Sequence, residues 1–177
     1  QEYAAYTIRP RIRRALKEFL TGCPRLRRHP VDWPARIPAP DWRGAEAGLA
    51  AFPHVARTGR FDPGETAGRG RCRRFIRESL KGYSRNSRNP CIDGTSNLSP
   101  YLHFGQVSAQ WIALQVQESD APQADRAAFL EELIVRKELS DNLCYYNPDY
   151  DSLEGIPEWA RLTLDRHRGD RREYLYN

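Results

Sequence analysis

Apolar residues recur at Ile8, Ile12, Leu16 and Leu20, a spacing near four that predicts an amphipathic helix over residues 3–21. Pro10 falls in its first turn or kinks it, and Gly22 ends it. A second helix is predicted from Pro63 through Leu80, with Glu65 in the first turn and Phe75, Ile76, Ser79 and Leu80 on one face. Gly68 and Gly70 weaken its first half, and Gly82 stops it. Ser108 reads as the N-cap of a helix over 108–117 that offers Trp111, Ile112, Leu114 and Val116 for burial. The strongest helical pattern runs from 124 to 146, with Phe129, Leu130, Leu133, Ile134 and Leu143 apolar. A last helix is predicted near 157–167, opened by Pro157 and Glu158, with Trp159, Leu162 and Leu164 able to pack inward.

From Pro24 to Phe61 the period disappears. "HPVDWPARIPAPDW" is proline-rich, so 24–61 reads as an extended connector that wraps a surface, pinned by Trp33 and Trp42. With no strand pattern and no internal repeat, the predicted fold class is all-α with an irregular linker.

Length changes this picture little: 177 residues suffice for one ordinary domain. No apolar run is long enough to span a bilayer, which points to a soluble chain, cytoplasmic or nuclear. The lack of methionine and the ending "REYLYN" suggest a piece of a longer protein. Cys23, Cys72, Cys91 and Cys144 lie far apart without metal-ligand spacing, so they read as reduced thiols in or near a core, with no metal site. Charge is uneven: residues 1–90 hold 20 Lys and Arg against 8 Asp and Glu, whereas 91–177 hold 8 against 15. The basic half could face a polyanion, but on charge alone "RLRR" (25–28) and "RCRR" (71–74) read first as solvated helix faces.

Candidate chemistry gathers in "DGTSNLSPYLHFG" (93–105). Thr95, Ser96 and Ser99 bring three hydroxyls, Gly94 permits an unusual turn, and Ser99-Pro100 fits an N-cap followed by proline at N1. Such a loop is either an ordinary capped helix start or an anion cradle, and Tyr83, Arg85 and Arg88 upstream favour a nucleotide-like ligand. In "EELIVRKE" (131–138), Glu132 and Arg136 stand four apart on the helix with the richest apolar face. That pair is either a solvated salt bridge or the polar lining of a cavity. His29, His54, His103 and His167 are scattered and read as structural, His103 in a packed first turn.

Five segments, "EYAAYTIRPRI", "FIRESLKGY", "DGTSNLSPYLHFGQVSAQ", "FLEELIVRKELSDNLCYYNPDYDSLEG" and "EWARLTLDRHRGDRREYLY", occur in the order found in one family. In them the chain resembles the photolyase and cryptochrome flavoproteins, specifically the class II cyclobutane pyrimidine dimer photolyases. The resemblance implies the first half of a helical FAD-binding domain, with 1–22 closing an antenna domain, 23–61 as interdomain linker and 62–177 as the N-terminal half of the FAD domain. It implies that Tyr83, twelve residues before Thr95, contacts FAD together with Thr95, Ser96, Asn97, Leu98 and Ser99. Glu132 becomes the residue that hydrogen-bonds the flipped dimer, and Arg136 lies near flavin and lesion.

The implied reaction is light-driven repair of damaged DNA by electron transfer from reduced FAD, in a protein that is monomeric at full length. An antenna chromophore would sit in a domain outside this chain, and the chain alone is expected to be inactive. A blue-light sensor of the cryptochrome type and a cofactor-free helical nucleic-acid-binding module are the alternatives. Three departures from the pattern stand out: Ser87 occupies the usual arginine position with Arg88 one later, "GETAGRGRCRRF" is poorer in alanine and leucine than the family's helix, and Val135 replaces the lesion-stacking tryptophan of class I relatives.

Overall fold

A computed structural model of the chain describes residues 2–25, 27–32, 37–49 and 58–173. Trp33, His54 and the terminal "YLYN" lie outside the described residues. The architecture is all-α, with no strand among the described residues. Helices α1 (Ala5–Phe19), α2 (Trp42–Leu49), α3 (Glu65–Glu78), α4 (Tyr83–Asn86), α5 (Ser99–His103) and α6 (Ala109–Gln117) come first. Then α7 (Gln123–Leu130) passes through a π-helical segment (Glu131–Arg136) directly into α8 (Lys137–Tyr146). A 3₁₀ turn (Leu153–Gly155) and α9 (Glu158–Arg166) complete the order.

The long helix α7–π–α8 is the hub, because it buries side chains in two directions. Phe129 and Leu133 enter the main core with Cys72, Phe75, Leu80, Tyr83, Leu98, Tyr101, Val107, Ile112 and Val116. Val135 turns the other way, onto Ala5 and Ile8 of α1, with Ile12 and Leu139 partly buried beside them. Polar bonds fix this second interface. Arg9 donates to both carboxylate oxygens of Glu131 at 2.6–3.1 Å. The Asn142 amide both accepts from the Glu2 N–H, at 3.1 Å, and donates to the Glu2 carbonyl, at 2.6 Å. At the far end of α1, Gln110 of α6 donates to the carbonyls of Phe19 and Thr21, satisfying acceptors that a helix C-terminus leaves open.

Several expectations change. The connector contains α2, whose first turn is closed by the Asp41 side chain accepting from the Gly44 N–H at 2.9 Å; a capping Asp can start a helix even among prolines. Trp42 pins nothing among the described residues, being 72% exposed. Trp159, Leu162 and Leu164 of α9 and Leu143 of α8 are exposed, since no described element lies over that face. The 124–146 pattern is not one regular α-helix but carries the π segment at its centre. Of the four cysteines only Cys72 reaches the core, where burial pushes its thiol up to about 11. His103 is exposed, edge-on to Phe104, and not in a packed turn.

Gly68 does not weaken α3; it lets the helix approach α5 and the segment after it. A Cβ there would lie 2.3 Å from Val107 Cγ2 and 2.9 Å from the Tyr101 ring, whereas a Cβ at Gly70 would meet nothing within 4 Å. The two glycines therefore predict opposite signs in urea unfolding. Gly68→Ala should cost about 1–3 kcal/mol through overpacking, and Gly70→Ala should gain roughly 0.5–1 kcal/mol through helix propensity.

Candidate functional site

The sequence-predicted residues come from three places: α4, the loop that rests on its end, and the π segment that continues α7. Gly82, at φ 90°, turns the chain out of α3 into α4. One carboxylate holds that turn: Asp125, 5% exposed, accepts from the N–H groups of Gly82 and Ser84 at 2.8 and 2.9 Å and from the Ser84 hydroxyl at 2.6 Å. These bonds, the Ser84 hydroxyl foremost, hold the Asp125 carboxyl below the usual carboxylate range. Tyr83 is thereby set between Phe75 and Phe129, edge-on to both at centroid distances of 5.6 and 5.4 Å. Burial, and secondarily the charge of Glu132, push its hydroxyl above the ordinary tyrosine value.

The other end of α4 carries the hydroxyl loop. A Cβ on Gly94 would lie 2.5 Å from the Asn86 carbonyl oxygen, so only glycine allows the loop to sit this close. Leu98, 1% exposed, anchors the loop in the core, and its side chain is not available to a ligand. Asn97 takes the left-handed conformation at φ 53°, and its side chain donates to Asp93 at 3.0 Å. Ser99 is not the expected cap. The residue before α5, Leu98, is helical in φ and ψ and no side chain caps the helix; the Ser96 hydroxyl accepts the Leu98 N–H instead, at 3.3 Å. Thr95 and Ser99 are exposed, Ser96 and Asn97 half-buried. The amides of Thr95, Ser96, Asn97 and Ser99 donate to no protein group among the described residues. Hydroxyls and unengaged N–H groups on one loop are a donor set fit for phosphate oxygens.

Glu132 and Arg136 lie on the exposed side of the π segment. Among the described residues no ion pair joins them, and the expected i,i+4 bridge is absent. Bonds from i to i+5 widen a π turn, so the α-helical i,i+4 rule does not carry over. The bridge that forms is Arg9–Glu131, which holds the Glu131 carboxyl below its usual range, with Arg136 a lesser influence. Val135 is buried against α1 and takes no part in the surface shared by Glu132 and Arg136. Ser87 is half-buried and Arg88 exposed.

Sequence reasoning missed Asp125 and the Arg9–Glu131 pair. Asp125 stands four residues before Phe129, and a carboxylate on an apolar stripe was the available signal. Arg9 and Glu131 are 122 residues apart, and nothing local marks them as partners.

Within an all-α fold, a loop with two exposed hydroxyls and four unengaged amides rests on the end of α4. No protein-family profile matches the chain. Its sequence is 42% identical over 178 residues to a deoxyribodipyrimidine photo-lyase of Potorous tridactylus, covering 100% of this chain and 34% of that protein. It is 43% identical over 194 residues to a photo-lyase of the same name from Arabidopsis thaliana, covering 99% of this chain and 37% of that protein. With the Methanothermobacter thermautotrophicus photo-lyase the identity is 38%, over 100% of this chain and 38% of that protein. The chain is thus similar over its whole length to photo-lyases, and it spans a little over a third of the length of these relatives.

The Asp125 clamp gives a pH test. A carboxyl whose folded pKa is depressed adds stability that is present above its unfolded value, about 4, and is lost as pH falls through the folded value. Asp125→Asn is expected to melt about 5 °C or more below wild type at pH 7. In thermal melts followed by circular dichroism, that gap should narrow steadily below about pH 4.

Proposed function

We propose that the polypeptide carrying this chain is a class II DNA photolyase that repairs cyclobutane pyrimidine dimers with FAD, and that this chain supplies one wall of the flavin and lesion site. The observation that carries the reading is the whole-chain likeness to photo-lyases; beside it, Tyr83 lies on α4 and the 94–99 loop rests on the end of that helix. The donor chemistry of the loop fits the cofactor's pyrophosphate: Thr95 and Ser99 offer exposed hydroxyls, and the Thr95, Ser96, Asn97 and Ser99 amides are unengaged. Leu98 and Gly94 fix the loop, Asn97 shapes it, and Tyr83 stiffens the joint beneath it. When bound, FAD supplies the light-driven electron that opens the cyclobutane ring.

The chain's own residues position the damaged strand. Glu132 is exposed on the π segment and offers its carboxyl as hydrogen-bond partner to the extruded pyrimidine pair. Arg136, on the same segment, would lie near flavin and lesion and would offer a positive charge to the lesion that takes up the electron. The Arg9–Glu131 pair and the burial of Val135 against α1 hold the π turn, so that Glu132 and Arg136 face outward. Residues 1–22, 23–61 and 62–177 serve as the end of an antenna domain, a linker and half of the FAD domain. At full length the protein acts as a monomer.

The test is repair of thymine-dimer DNA under blue light by the full polypeptide. Wild type restores the strand. Glu132→Ala should lower the repair yield about tenfold with flavin retained, the cost of one charge-assisted hydrogen bond. Thr95→Ala combined with Ser99→Ala should weaken flavin retention about tenfold or more, read from the bound flavin absorbance. A flavin-loaded polypeptide that leaves dimers unrepaired in the light overturns the reading in favour of a light sensor.

A further inference from the structure

The arginine run on α3 has a division of labour that composition does not reveal. Arg69 pairs with Glu65 at 2.7 Å and lies over the Trp111 ring at 4.9 Å, and Arg77 pairs with Glu78 at 2.7 Å. Arg71 and Arg74 instead join Arg60 around a polar cleft of about 280 Å³ whose other walls include Phe61, Asp62 and Tyr101. None of these three guanidinium groups has a carboxylate partner within 4 Å among the described residues. Asp62 is the one acidic residue lining the cleft, so three positive charges face one negative.

Two of the three are held in place without being neutralised. Arg71 Nε donates to the Ser96 carbonyl at 3.1 Å. Arg60 lies over the Phe61 ring at 5.3 Å, and one of its terminal nitrogens donates to Asn97 Oδ1 at 3.4 Å. Tyr101 donates its hydroxyl to the Asp62 carbonyl at 2.9 Å and so fixes the opposite wall. A guanidinium has five N–H donors in a fork that matches phosphate oxygens, and each of these arginines keeps most of its donors free. Pre-positioned donors lose little entropy on binding.

We propose that the Arg60–Arg71–Arg74 cleft docks a phosphodiester of a nucleic-acid strand, a contact separate from the hydroxyls and amides of the neighbouring loop. An enclosed site would select a small ion. Here Arg60 and Arg74 stand exposed at the rim, which suits a polymer that continues past the cleft. Because Arg60 and Arg71 bond to Asn97 and Ser96, the strand contact is tied mechanically to the proposed flavin loop. The inference rests on the reading of the polypeptide as acting on DNA, and its experiment separates the two.

Affinity of the full polypeptide for a labelled duplex is measured across salt concentration, with and without a thymine dimer. Each phosphate contact adds about 0.9 to the slope of log affinity against log salt. Arg60→Gln with Arg74→Gln should therefore lower the slope by about 1.8 and weaken binding roughly tenfold or more near 0.1 M salt, equally on both duplexes, with flavin content unchanged. Arg60→Lys with Arg74→Lys should keep most of the slope, and Arg73→Gln, on the same helix but outside the cleft, should keep all of it. An unchanged slope in the double glutamine variant overturns the proposal. So does an equal drop in Arg73→Gln, which would mean diffuse charge, or loss of flavin with the slope intact, which would assign the cleft to the cofactor. Failure of wild type to prefer the dimer duplex would count against the photolyase reading and leave the slope comparison readable.

Discussion

A single buried carboxylate holds the candidate site together. Asp125 spends both oxygens on the Gly82–Ser84 turn, and that turn aims Tyr83 at the aromatic core and hands the chain on to Asn86, against which the 94–99 loop rests. A buried charge with incomplete bonding is costly, so a fully satisfied one commits its surroundings to a single arrangement. α7, α4 and the loop are consequently one mechanical unit, although they are separated along the chain.

The π segment does the complementary work on the other side of the hub. Leu133 and Val135 bury into different cores, and the Arg9–Glu131 bonds grip the same turn from α1. Anchored at both faces, the turn has one free side, and Glu132 and Arg136 occupy it. The irregular helix thus coincides with the residues that carry the proposed chemistry, where π turns are frequently found.

Much of this was legible in the sequence because it depends on local physics. The periods of α1, α3, α6 and the long helix follow from apolar spacing, and the Ser108 cap is observed accepting from the Trp111 N–H at 3.3 Å. What escaped depends on tertiary contact. Gly68 looks like a weak helix residue until Val107 and Tyr101 are placed against it. Nothing in "EELIVR" announces a π turn, because its cause lies in burial demands from two directions. The α9 face reads as core from its spacing, but burial also needs a partner, and no described element provides one. The positions proposed to hold flavin were drawn from resemblance; local chemistry alone left the loop undecided between a helix start and an anion cradle.

The Arg9–Glu131 and Glu2–Asn142 bonds join residues 122 and 140 positions apart. A ribosome adding about 5–20 residues per second makes α1 roughly 6–25 s before its docking surface is complete. Through that interval Ile8, Ile12 and Leu16 have no native partner on the long helix, and the nascent chain carries an uncovered apolar stripe. Synthesis order thus leaves the α1 stripe waiting for its partner on the long helix longer than any local contact of this fold waits.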